Sequence, residues 1–168
     1  MVRTFAQDTS VSVGRSRGEI DDLLRAWGCT GVMWADEYDI GRMSLQFRWP
    51  HDGVTYMARF TVTLESREKI KKEVDAMRGS WKAELTQKRI DERLAARGRQ
   101  EMRILLLWLK AALNAVEAGI VKAEEIFLPF LVGADGRTVA EIAIPRMRDL
   151  LTNDAGRLLP GKGDEHHG

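Results

Sequence analysis

The chain has 168 residues, 44% of them apolar and 30% charged, which suits one globular domain whose core needs neither disulfides nor a structural metal. A formal net charge of +1 gives no global electrostatic case for nucleic acid or a membrane surface. Cys29 is the only cysteine, so an intramolecular disulfide is excluded and a reducing compartment, the cytoplasm, is the expectation.

Residues 1–15 read as a flexible lead-in, and Met1 to Ser10 has no apolar core of signal-peptide length. Ser16 and Glu19 match a capping box. Ile20, Leu23, Leu24 and Trp27 follow at helical spacing, and Gly28 is a natural stop. Cys29 to Trp34 is a short apolar strand, and Ala35 to Gly41 an acidic turn. From Arg42 to Trp49 the period is two. Met43, Leu45, Phe47 and Trp49 mark one face, with Arg42, Ser44, Gln46 and Arg48 on the other. Pro50-His51-Asp52-Gly53 is turn chemistry. Alternation resumes from Val54 to Leu64, so the two runs form a β-hairpin. The sheet is therefore antiparallel, with one face on the core and one more polar.

Residues 67–103 form a charged helical segment with 12 Lys and Arg against 7 Asp and Glu, a local excess of +5. Gly79-Ser80 divides it into two helices. Ser80 caps the second, which runs toward Ala118 with a weak point at Gly98 and an i,i+4 pair of Glu84 with Lys88. Ile104 to Ile120 is the most apolar stretch, yet Lys110, Asn114 and Glu117 interrupt it. It reads as a core helix and not a membrane span. Glu125 to Val132 suits a strand or buried loop, and Ala134 to Arg137 a turn. Thr138 and Glu141 repeat the capping-box pattern, opening a helix in which Pro145 predicts a kink or interruption. The expected fold class is α+β: a small antiparallel three-stranded sheet packed on a long central helix, with short flanking helices, in a single domain over residues 16–152. Residues 153–168 read as a disordered tail.

Little in this inventory carries chemistry. The three histidines, His51, His166 and His167, lack zinc-ligand spacing. Cys29 has no neighbouring histidine in sequence and reads as a small buried hydrophobe. Glycine-rich phosphate loops are missing. Asp36, Glu37 and Asp39 cluster, but without the glycine and bidentate glutamate of a calcium loop, so a polar turn is the simpler reading. No catalytic residue, metal or cofactor is expected. Two basic features remain. One is the outward hairpin face with Arg42, Gln46, Arg48 and Arg59. The other is the helical run Lys88, Arg89, Arg93, Arg97, Arg99 and Arg103. Both suit phosphate contacts. Among five tryptophans, Trp81 is the one expected to be exposed.

Three segments in order resemble a family of small uncharacterised phage and prophage proteins. They are EIDDLLRAWGCTG from Glu19 with the following hairpin around Gln46-Phe47-Arg48, LLWLKAALNAVEAGI from Leu106, and FLVGADGRTVAE from Phe130. The resemblance covers Ser16–Leu64 and Gln100–Pro145. It implies a bacterial host cell and brings no catalytic residue with it. The expected function is a non-enzymatic accessory protein binding DNA or RNA through the basic sheet face and basic helix. The alternative is an adaptor or inhibitor of a host or phage protein, with the charged helix supporting a homodimer.

Overall fold

A computed structural model describes residues 6, 9–37, 40–63, 66–77 and 83–153, without the side chains of 83–85 and 150–153. The hairpin is built as its alternation predicts. Strand β2 (Arg42–His51) pairs antiparallel with β3 (Val54–Thr63), from Arg42 opposite Thr63 to His51 opposite Val54. Only Asp52 and Gly53 connect them, both at positive φ (49° and 76°). That is the backbone a two-residue hairpin loop demands, and Asp-Gly is among its preferred pairs. Strand β1 (Gly31–Glu37) adds to the other side of β2, giving the order β1-β2-β3. The strand runs on to Glu37, so Ala35, Asp36 and Glu37 belong to the ladder and not to an acidic turn. Trp34 and Asp36 face the core side beside Leu45 and Met43, which draws the strand onward.

Helix α1 spans Val13–Ala26 and begins one turn before the expected start. The cap is Ser12, whose side chain accepts from the Arg15 N–H at 3.2 Å. Ser16 is instead buried inside the helix. Val13 packs against the core, and its burial extends the helix past the local signal. Helix α2 covers Arg67–Ala76, capped by Ser66. Helix α3 runs unbroken from Ala83 to Glu117, 35 residues, or about 50 Å at the standard rise. Gly98 does not weaken it. Gly98 is buried, and a Cβ there would stand 3.6 Å from Val13. The glycine thus marks where α1 crosses closely, not a break. The expected Ser80 cap, the Glu84 side chain and the tail from 154 onward lie outside the described residues.

Helix α4 (Ala123–Ile126) and a 3₁₀ turn (Leu128–Phe130) follow. Leu131 then bridges Ala58 at the outer edge of β3, and the Val132 N–H donates to the Met57 carbonyl at 2.8 Å. The Thr138–Glu141 capping box forms. The Thr138 N–H donates to Glu141 Oε2 at 2.7 Å, and the Glu141 N–H donates to Thr138 Oγ1 at 3.2 Å. Helix α5 (Val139–Asn153) continues through Pro145 without interruption.

The architecture is α+β, a three-stranded antiparallel sheet against one long helix with short helices around it. Met43, Leu45, Phe47 and Trp49 meet Met102, Leu106, Leu109 and Leu113 in one core. Phe127 sits at its centre, fully buried, with the rings of Phe47, Trp49, Trp108, Trp27 and Phe60 between 5.5 and 6.2 Å away. Ile70, Val74 and Ile90 form a smaller cluster joining α2 to α3.

Candidate binding surface

Strand pleating sends alternate side chains to opposite faces. Because Met43, Leu45, Phe47 and Trp49 face the core, Arg42, Ser44, Gln46 and Arg48 lie on the other face, where Arg42 and Arg48 are exposed, Gln46 is half-buried and Ser44 is buried. The strand register sets them in rows across the sheet. Arg48 lies between Gly31 and Met57, Gln46 between Met33 and Arg59, and Arg42 between Glu37 and Thr63. A shallow cleft of about 300 Å³ is lined by Gly31, Met33, Gln46, Arg48 and Met57, among others. Met33 and Met57 are 53% and 38% exposed on it. The sequence reading missed both methionines. Met33 stands between apolar Val32 and Trp34, so no alternation in the sequence marks it as outward-facing.

The arginines of this face differ in their freedom. Arg59 donates to Glu141 on α5 at 2.8 Å. The Thr138 N–H, reinforced by the Arg59 charge, holds the Glu141 carboxyl below its ordinary range. Arg42 stands 3.8 Å from Glu37 on the neighbouring strand. Arg48 has no ion pair among the described residues, and its side chain lies across Gly31. A Cβ there would come within 2.8 Å of Arg48 Nε.

The basic run on α3 is largely engaged inside the molecule. Arg103 reaches Glu19 on α1 at 3.0 Å, with Lys110 at 3.8 Å from the same carboxylate. The Arg103 hydrogen bond holds the Glu19 pKa down. Arg93 pairs with Glu73 on α2 at 3.3 Å, and Arg67 on α2 answers with Asp91 at 2.8 Å. Arg99 donates to the Thr9 carbonyl, Lys88 stands 3.9 Å from Glu92, and Arg89 and Arg97 also have partners. These charges clip α1 and α2 onto α3. Arg48 and Arg59 stand apart from them, because α3 packs on the opposite side of the sheet, as the Phe60–Trp108 contact at 5.2 Å fixes, whereas Arg42 shares a cleft with α2 and α3.

The carboxylate cluster also separates. Asp36 faces the core side and receives both Arg17 amino groups, while Glu37 faces outward to Arg42. Asp39 lies outside the described residues, as do Trp81, His166 and His167. Among the described residues no group of three or more His, Cys, Asp or Glu is placed to hold a metal. Cys29 is half-buried, and burial pushes its thiol up to about 12, the opposite of an activated thiolate. A larger cleft of about 1040 Å³ opens beside Arg17, Arg42 and Arg67, but each of these arginines is ion-paired. No described helix is long and apolar enough to cross a membrane. No protein-family model, curated protein or solved structure matches the chain.

Proposed function

We propose that this chain is a binding protein with no chemistry of its own, which engages a protein partner through the outward face of its sheet. In the phage and bacterial setting that the resemblance implies, it serves as an adaptor or inhibitor of a host or phage protein. The carrying observation is the composition of that face. Two exposed methionines flank Gln46 and an Arg48 that has no ion pair among the described residues, while the other arginines of both basic features have partners. Methionine surfaces adapt to varied apolar partners, and arginine is enriched at binding hot spots. A phosphate-binding surface clusters its cations on one face or stripe.

The test is capture from bacterial lysate with wild-type chain and with Met57→Asp, which places a charge in the cleft and leaves the core face untouched. Specific capture by the wild type that the variant loses supports the reading; equal capture by both refutes it. The nucleic-acid reading keeps one favourable observation, Arg48 beside Gln46 on an open face. Its measurement is a gel shift with single- and double-stranded DNA at low salt, abolished by Arg48→Ala.

A further inference from the structure

The two edges of the sheet are not alike. The outer edge of β3 is bridged by Leu131, with the Val132 N–H bonded to the Met57 carbonyl. Among the described residues nothing pairs with the outer edge of β1. An open edge is a template for another strand, and proteins blunt such edges with charged side chains, proline, bulges, inward-pointing charges or shortness. Strand β1, GVMWADE, is seven residues long with no lysine and no proline; of its two charges, the inward Asp36 is met by Arg17 and Glu37 faces outward.

We propose that two copies of this chain join edge to edge, β1 against β1, forming one continuous six-stranded sheet in which Arg48 of each copy pairs with Glu37 of the other. Two copies related by a two-fold axis pair identical strands antiparallel. Residues directly opposite in such a pair must share a face, which restricts the axis to positions on a residue. With the axis at Trp34, Gly31 stands opposite Glu37 of the second copy and Met33 opposite its Ala35. Opposed Cβ atoms then sit about 4.5–5.5 Å apart. Arg48 already lies across Gly31 toward this edge, so its guanidinium meets the incoming carboxylate, which its own Arg42 approaches only to 3.8 Å. Symmetry makes the pairing twice. An axis at Met33 sets Gly31 opposite Ala35, and an axis at Ala35 leaves Gly31 without an opposite residue; neither gives the charge match. On the core-facing side Trp34 stands beside its own symmetry mate, and Val32 opposite Asp36, whose charge Arg17 already meets. The exposed Met33 is covered. This goes beyond the partner reading: it engages Arg48 and Met33 at the edge and leaves Gln46 and Met57 of the outward face for a partner.

The test is the mass of the full chain in solution by light scattering and sedimentation equilibrium. The wild type is expected to be a dimer. Arg48→Glu and Glu37→Arg should each weaken dimerisation roughly tenfold or more, because like charges then meet, and the double exchange Arg48→Glu/Glu37→Arg should restore it. Circular dichroism checks that each variant is folded. Should a reversal fail to fold, the isosteric Glu37→Gln replaces it, with the same direction expected. Met57→Ser, which shortens that side chain without setting a charge opposite Arg48, should weaken partner capture but remain a dimer, which separates the two readings. A monomeric wild type overturns the inference. So does a dimer indifferent to the charge at both positions.

Discussion

Phe127→Ala is the sharpest test of how this core is assembled. The ring is fully buried and has five aromatic neighbours at centroid distances of 5.5–6.2 Å. Truncating a buried phenylalanine costs about 3–5 kcal/mol through lost transfer energy and the cavity left behind. The aromatic pairs favour the upper half, since each contributes about 0.5–1.5 kcal/mol beyond area, though not additively. A loss near 4 kcal/mol corresponds to a fall in Tm of about 8–16 °C for a domain of this size. Urea unfolding followed by tryptophan fluorescence measures it directly, because Trp27, Trp49 and Trp108 surround the ring. A loss below about 1.5 kcal/mol, half the low end for truncating a buried phenylalanine, would mean that Phe127 does not tie α4 to the sheet and α3.

Three further outcomes follow from the geometry. Gly98→Ala should stabilise the chain by up to about 1 kcal/mol through helix propensity, since its Cβ meets only Val13 at 3.6 Å; Gly98→Leu should destabilise it by wedging α1 from α3, both read by thermal unfolding. Glu141 binds its proton less readily in the folded chain than in the unfolded one. It therefore adds stability above the ordinary glutamate pKa of 4.5, lost as pH falls through its folded value. Acid unfolding of Glu141→Gln should accordingly show a smaller loss of stability below that pH than the wild type; an unchanged profile would contradict the capping geometry. Cys29, with its thiol near 12, should react with iodoacetamide slowly at neutral pH in the folded chain and quickly in urea. Equal rates would show that the thiol is not shielded.

What could be read in the sequence was what local physics decides. The hairpin follows from alternation on both sides of an Asp-Gly turn, and β2 and β3 pair in the register those signals imply. The Thr138–Glu141 box formed because both partners lie within one turn. Ser16 and Glu19 carried the same pattern, but the helix begins a turn earlier with Ser12 as its cap and half-buried Val13 against the core, and Glu19 turned to Arg103. Gly98 showed the same limit, since only the crossing of α1 distinguishes a contact glycine from a weak one. The ion pairs of the basic surface are invisible in the sequence for a related reason. A charge count sees the arginine and not its partner, and Arg103–Glu19 and Arg59–Glu141 are separated by 84 and 82 residues along the chain. Arg48 stands out only once these distant pairs are removed from the inventory.

The unequal edges of the sheet also bear on solution behaviour at high concentration. A chain with two open edges polymerises, since every addition regenerates an acceptor at the far side. Here Leu131 occupies part of the β3 edge, so a union through β1 presents only obstructed strands to the next arrival. Association along the hydrogen-bonding direction then terminates at two, and the seven-residue β1 edge is not carried on into a growing sheet. Deleting the Leu131 bridge, and not altering β1, is the change that would convert a closed pair into an open-ended chain.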